Sequence, residues 1–216
     1  MLGIITGLTA EAKIAQRLGV AVRAGGGMPE GAEAAAEALV AEGATALLSF
    51  GLAGGLVGDL HPGDIIIPDA VVEDGRIRPT NATLSARLGE GTHGMLLAHH
   101  EIVASAAEKA ALAATSLCRA VDLESGAVAR VAAKYELPFA VLRAICDDAE
   151  RDLPPAALAA LNEKGAIAIT RVALSILSHP LQIPALIALG RDAGRARAAL
   201  VGRVNQLGVG SLGSVF

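Results

Sequence analysis

Asp122-Leu123-Glu124-Ser125-Gly126 and Arg143-Ala144-Ile145-Cys146-Asp147-Asp148-Ala149-Glu150 set acidic residues in otherwise apolar surroundings. Between them, 128–134 is alanine-rich with a helical pattern, Leu137-Pro138 makes a tight connection, and Phe139-Ala140-Val141-Leu142-Arg143 has the composition of a buried strand. Such a helix, loop and strand put Glu124 at a helix N-terminus and Asp147 just past the carboxyl end of a strand. In open α/β sheets ligands gather outside the carboxyl ends of the strands, so both acids are expected on one rim.

Outward from this unit the chain alternates. Strands are expected at 2–7, 20–24, 44–50, 65–67, 94–98 and 117–121, and helices from about 8 to 18, 31–42 and 103–115. Residues 70–91 read as a strand pair around a polar turn at Glu73-Asp74-Gly75. This rhythm predicts a single three-layer α/β domain with a mixed, largely parallel central sheet flanked by helices. Thr9 is a candidate cap for the first helix, with Glu11 in its first turn, where an acid also suits the helix dipole. Gly51-Leu52-Ala53-Gly54-Gly55-Leu56 is expected to turn sharply after its strand, its small residues letting backbone amides face a ligand. The run Gly25-Gly26-Gly27 before a helix is a weak anion-loop signal, lacking a Lys or Ser/Thr signature.

After Glu150 the pattern is helical over 155–178, with Asn162-Glu163-Lys164-Gly165 as a turn and His179-Pro180 as a stop. Residues 1–180 are read as the domain. Residues 181–216 are read as an apolar-then-basic helix carrying Arg191, Arg195, Arg197 and Arg203, with a loose tail from 207, either part of that domain or appended to it. Such a helix packs on the domain or lies against an anionic membrane surface.

The 216 residues are 53% hydrophobic, enough for one large core, and the net charge of -4 gives no basic footprint for nucleic acid. Two cysteines, Cys118 and Cys146, are too few for a disulfide framework, and no signal core opens the chain, so a cytoplasmic protein is expected. A mean hydropathy of +0.51 owes much to alanine, and no apolar run reaches the length of about 18 residues needed to span a membrane. His99-His100 alternate faces at a strand end, which argues against a shared metal; no metal site is expected.

The runs Gly3 to Glu11, Ser49 to Leu56 with Gly58-Asp59 and Gly63-Asp64, Asp122 to Ala127, and Arg143 to Asp147 resemble four successive signatures of one superfamily. It comprises purine nucleoside phosphorylases and methylthioadenosine/S-adenosylhomocysteine nucleosidases. The likeness covers about residues 1–175 and is closest to the hopanoid-associated phosphorylases. It implies release of adenine from adenosylhopane in bacterial hopanoid synthesis, with a smaller soluble nucleoside as the alternative substrate and a homodimer or higher homo-oligomer as the assembly.

The resemblance also implies roles. Asp147 matches the acid that protonates the purine, desolvated by Ile145 and Cys146, and Glu11 the acid that activates water. Glu124 matches the acid that holds the ribose hydroxyls. Leu123 stands where a Met often meets the sugar, while Gly51, Ala53 and Gly54 would lie against the ribose. Ile102 replaces the expected purine-stacking aromatic. Phosphorylases carry an Arg before the glycine loop and a Ser or Thr within it; here those positions are Ser49 and Leu52. That departure favours water slightly, and inorganic phosphate stays open as a co-substrate through Arg23, Arg76 or the Gly25–Gly27 amides. Two other readings compete: Cys146 as the nucleophile of a hydrolase, and a binding module for a nucleoside or lipid without catalysis.

Overall fold

The computed structural model describes residues 1–158, 180–209 and 212. Nine strands form one sheet: β1 (Leu2–Thr6), β2 (Ala21–Ala24), β3 (Ala46–Gly55), β4 (Ile65–Ile66), β5 (Ala70–Glu73), β6 (Arg76–Pro79), β7 (Met95–Ala98), β8 (Ala120–Asp122) and β9 (Phe139–Asp147). The helices are α1 (Thr9–Ala15), α2 (Pro29–Ala41), α3 (Ala82–Arg87), α4 (Ala106–Ser116), α5 (Ser125–Lys134), α6 (Pro155–Leu158) and α7 (Ile183–Leu207). Of the helix expected over 155–178, only α6 falls within the described residues; its turn at 162–165 and its stop at His179 lie outside them.

Strands β3 and β9 form the parallel centre of the sheet, and both are buried along nearly their whole length. Their alternating side chains feed two cores, as period-two strands covered on both faces must. Leu47 and Val141 pack with Ala36 and Leu39 of α2 and Val128 and Val131 of α5. Leu48 and Leu142 pack on the other face with Ile14 of α1 and Ala196, Leu200 and Val204 of α7. The second half of α7 is therefore core, while the apolar side chains Leu181, Ile183 and Ile187 near its start are exposed. Leu212, expected in a loose tail, is buried in the same core.

Two local expectations are corrected. Leu8, not Thr9, is the N-cap of α1, and it receives no side-chain cap of its own. Instead its N–H donates back to Glu11 Oε2 at 2.7 Å, one half of a capping box. More consequentially, β3 does not turn at Gly51 but runs on to Gly55. Its glycines serve close approach. A Cβ on Gly51 would lie 2.5 Å from Arg143 Nη1 and 2.9 Å from Glu11 Oε2, and one on Gly54 3.1 Å from Asp147 Oδ1.

The pairing of β3 positions the site. One edge of β3 follows β9; the other is shared by two strands. β1 pairs in parallel with its first half, ending at Thr6 opposite Phe50. β8 pairs antiparallel with its last two residues, Val121 opposite Gly54. The carboxyl ends of β1 and β8 thus run toward each other and stop short, leaving Gly51 to Ala53 without a strand partner on that edge. The open ladder positions are filled by side chains: Leu52 N–H donates to Glu11 Oε1 at 3.1 Å, and Arg143 Nη1 donates to the Leu52 carbonyl at 3.4 Å.

Candidate active site

A cavity of about 490 Å³ opens over this gap. Its walls include Glu11 from α1, Ala53 and Gly54 from β3, Ile102 after β7, Asp122 at the end of β8 with Leu123 and Glu124 following it, and Cys146 and Asp147 from the end of β9. Eight of the nine residues expected in a site therefore share one cavity. Gly51 is the exception: it lies behind the carboxylates, against Arg143 and Glu11, where only a hydrogen fits. The remaining wall is largely apolar, with Leu153, Ala156 and Ala157 on one side and Leu186, Leu189 and Ala193 of α7 on another.

On one part of the wall, three carboxyl groups gather around one cation. Arg143, 1% exposed, brings Nη2 within 2.5 Å of Asp122 Oδ2 and 3.0 Å of Glu124 Oε2. The same nitrogen donates to Ser49 Oγ at 2.8 Å and Ser125 Oγ at 3.2 Å, and Ser125 Oγ donates to Asp122 Oδ2 at 2.5 Å. Glu124 is the N-cap of α5 but makes no cap with its side chain, which reaches Arg143 instead. Its carboxyl group closes over Gly7, where a Cβ would meet Glu124 Oε1 at 2.4 Å. One guanidinium cannot balance three buried acids, so protons must remain. Burial pushes Glu124 up to about 8, helped by the charges of Asp122 and Glu11 and opposed by Arg143. Burial also raises Glu11, against Arg143 and the amides of Leu8 and Leu52.

Another part of the wall holds Asp147. Asp147 is buried with Cys146 Sγ 3.3 Å from its Oδ1, and Lys109 Nζ lies 2.5 Å from its Oδ2, this lysine being wholly buried. A β-bulge intervenes where Ala53 pairs with Ile145 but Gly54 pairs with Asp147, giving β9 one extra residue beside the acid. Cys146 does not resemble a nucleophile. Burial, reinforced by the charge of Asp147, pushes its thiol well above the ordinary value, the reverse of activation.

Arg143 and Lys109 are the buried cations beside these acids that sequence alone did not single out. Arg143 stood inside a quoted motif with no role, though an arginine in a buried strand is itself a signal that acids must surround it. Lys109, between Glu108 and a run of alanines, gave none. The cations considered for phosphate are elsewhere: Arg23 pairs with Glu42 at the surface, and Arg76 belongs to a separate hollow with Arg78 and Arg130. The amides of Gly25 and Gly26 already donate to the carbonyls of Thr6 and Gly7. No group of residues able to hold a metal occurs among the described residues, and no described helix is long and apolar enough to cross a membrane.

No curated protein sequence matches the chain. Among solved structures, a point mutant of the Helicobacter pylori 5′-methylthioadenosine/S-adenosylhomocysteine nucleosidase with 5′-methylthioadenosine in its active site superposes with a TM-score of 0.67. It is 19% identical, covering 95% of this chain and 98% of that one. The native H. pylori futalosine hydrolase gives 0.67 at 19% identity, covering 95% and 97%. The Streptococcus pyogenes S-adenosylhomocysteine nucleosidase gives 0.66 at 18%, covering 96% and 97%. At these identities the likeness is one of fold, but a family model described as the phosphorylase superfamily matches residues 7–178. The chain belongs to the phosphorylase superfamily, whose members are enzymes acting on N-ribosyl bonds.

Proposed function

We propose that the protein hydrolyses the N-ribosyl bond of an adenine nucleoside and that adenosylhopane, with its bulky apolar 5′ substituent, is its substrate. The observation that carries this reading is the sorting of acids in one cavity: a proton-holding cluster around Arg143, and Asp147 paired with a lysine of its own. Breaking the C1′–N9 bond leaves an oxocarbenium-like sugar, so the site must protonate the purine, hold the ribose hydroxyls and supply a nucleophile. In this reading Asp147 passes a proton, taken up from solvent with the substrate, to purine N7 as the bonding pair withdraws into the ring. Glu124 and its neighbours hold the hydroxyls, and Glu11 takes a proton from the water whose oxygen adds to C1′. A base held above the ordinary carboxylate range by burial suits that step. The apolar walls from Leu153 and from α7 favour an apolar 5′ group, and Ile102 offers adenine an aliphatic surface.

Water is favoured over phosphate because Ser49, where a phosphate-binding arginine is expected, is buried and accepts a hydrogen bond from Arg143. One observation favours phosphate. Arg197 of α7 lines the cavity, its Nε is buried without a hydrogen-bond partner, and no ion pair engages it among the described residues. Adenine release from adenosine, 5′-methylthioadenosine and adenosylhopane, with and without inorganic phosphate, tests both readings. Release without phosphate, fastest from adenosylhopane, is expected. Accumulation of a sugar 1-phosphate overturns hydrolysis, faster turnover of a small nucleoside overturns the substrate, and no release from any of the three overturns the enzyme reading.

A further inference from the structure

Lys109 lies on α4, outside the cavity wall, and is wholly buried. A lysine is rarely found there unless its charge is matched and its donors are filled. Both conditions hold. Nζ donates to Asp147 Oδ2 at 2.5 Å, to the Asp148 carbonyl at 2.6 Å and to the Arg151 carbonyl at 3.1 Å, three acceptors for three N–H bonds. Only one oxygen of Asp147 is used in this way. Oδ1 accepts a hydrogen bond from the Cys146 thiol at 3.3 Å, and both oxygens lie beside Gly54; Cys146 and Gly54 are on the cavity wall. The ammonium group thus engages one oxygen and leaves the other, at the cavity wall, with only the weak thiol donor of Cys146.

We propose that Lys109 is the positioning residue for the leaving purine, acting through Asp147; this rests on the reading of Asp147 as the purine-facing acid. A proton taken up from solvent with the substrate bridges Oδ1 and N7, and it stays on N7 as the C1′–N9 pair enters the ring. The carboxylate left behind is stabilised by the ammonium group, which keeps all three of its own protons. In a water-poor setting an opposite charge at contact distance acts most where charge develops during the step. The same ammonium fixes the turn at Asp148 and Arg151, which leads into the wall at Leu153, Ala156 and Ala157. A purely structural staple would stop at that second task.

Leaving-group dependence separates the two. Lys109→Met is expected to lower kcat/KM for adenosine by about 10²-fold, the size of a general-acid contribution. For p-nitrophenyl β-D-riboside, whose leaving group needs no proton, the loss should be less than about 3-fold. Equal losses on both substrates, or no loss on adenosine, overturn the proposal. If the wild type releases no adenine, the cleavage reading fails separately, and Lys109 is judged on free adenine. Calorimetric titration should then show Lys109→Met and Asp147→Asn each weakening adenine binding, with the double variant no weaker than either. Unchanged or additive losses count against the proposal. Lys109→Gln, which keeps hydrogen bonds to the turn without the charge, should fold like the wild type yet show the Lys109→Met pattern; wild-type behaviour in it also overturns the proposal.

Discussion

Two buried polar regions adjoin one cavity, and their charges are balanced differently. Around Arg143 three carboxyl groups share one guanidinium, whereas at the end of β9 Asp147 has an ammonium group of its own. The first region is short of positive charge and must hold protons; the second is balanced. An imbalance suits groups that bind hydroxyls and take up a proton, and a matched pair suits a group that ends its step as an anion. The split of the sheet edge explains why both fit: β1 and β8 deliver the crowded acids from one side of β3, while β9 delivers the paired acid from the other.

The comparison breaks most severely at its cation. Arg143→Met leaves Asp122, Glu124 and Glu11 buried together without their cation, and a loss of about 3–5 kcal/mol is expected in urea unfolding at neutral pH. A loss under about 1 kcal/mol would mean that Arg143 does not hold the cluster together. Next comes the backbone behind it. Gly51→Ala drives a methyl group toward Arg143 Nη1 and Glu11 Oε2 and should cost about 1–3 kcal/mol. Gly54→Ala, whose new methyl would meet Asp147 at 3.1 Å rather than 2.5 Å, should cost less; the reverse order would show that the crowded side is not the tighter one.

The smallest effect tests the proton count. Glu124 is pushed up to about 8 from 4.5. Stability present while it is protonated is therefore lost as pH rises from about 4.5 through 8. Glu124→Gln cannot ionise, so its melting temperature relative to wild type should rise between pH 5 and pH 9, by roughly 3 °C or more. A constant difference across that range would mean that Glu124 is not a proton holder.

Much of this arrangement was legible in the sequence. Alternating elements gave the layers, and Asp122 to Asp147 gave a helix and strand with acids at their ends. The glycine run was misread as a turn because small residues signal both turns and close approach, and only the side chains of Arg143, Glu11 and Asp147 distinguish them. Lys109 was invisible for a related reason: a lysine in an alanine-rich helix looks like a solvent-facing residue until the fold wraps residues 148–151 around it. The division of labour between the acids rests on charge balance, which depends on distances that spacing along the chain does not supply.

The central claim is that Asp147 serves the purine, and adenine release by Asp147→Asn tests it most directly. With the circular dichroism and melting curve of a folded protein, this variant should release adenine from adenosylhopane about 10²- to 10⁴-fold more slowly than wild type. Release at the wild-type rate would remove Asp147 from the chemistry and contradict the account.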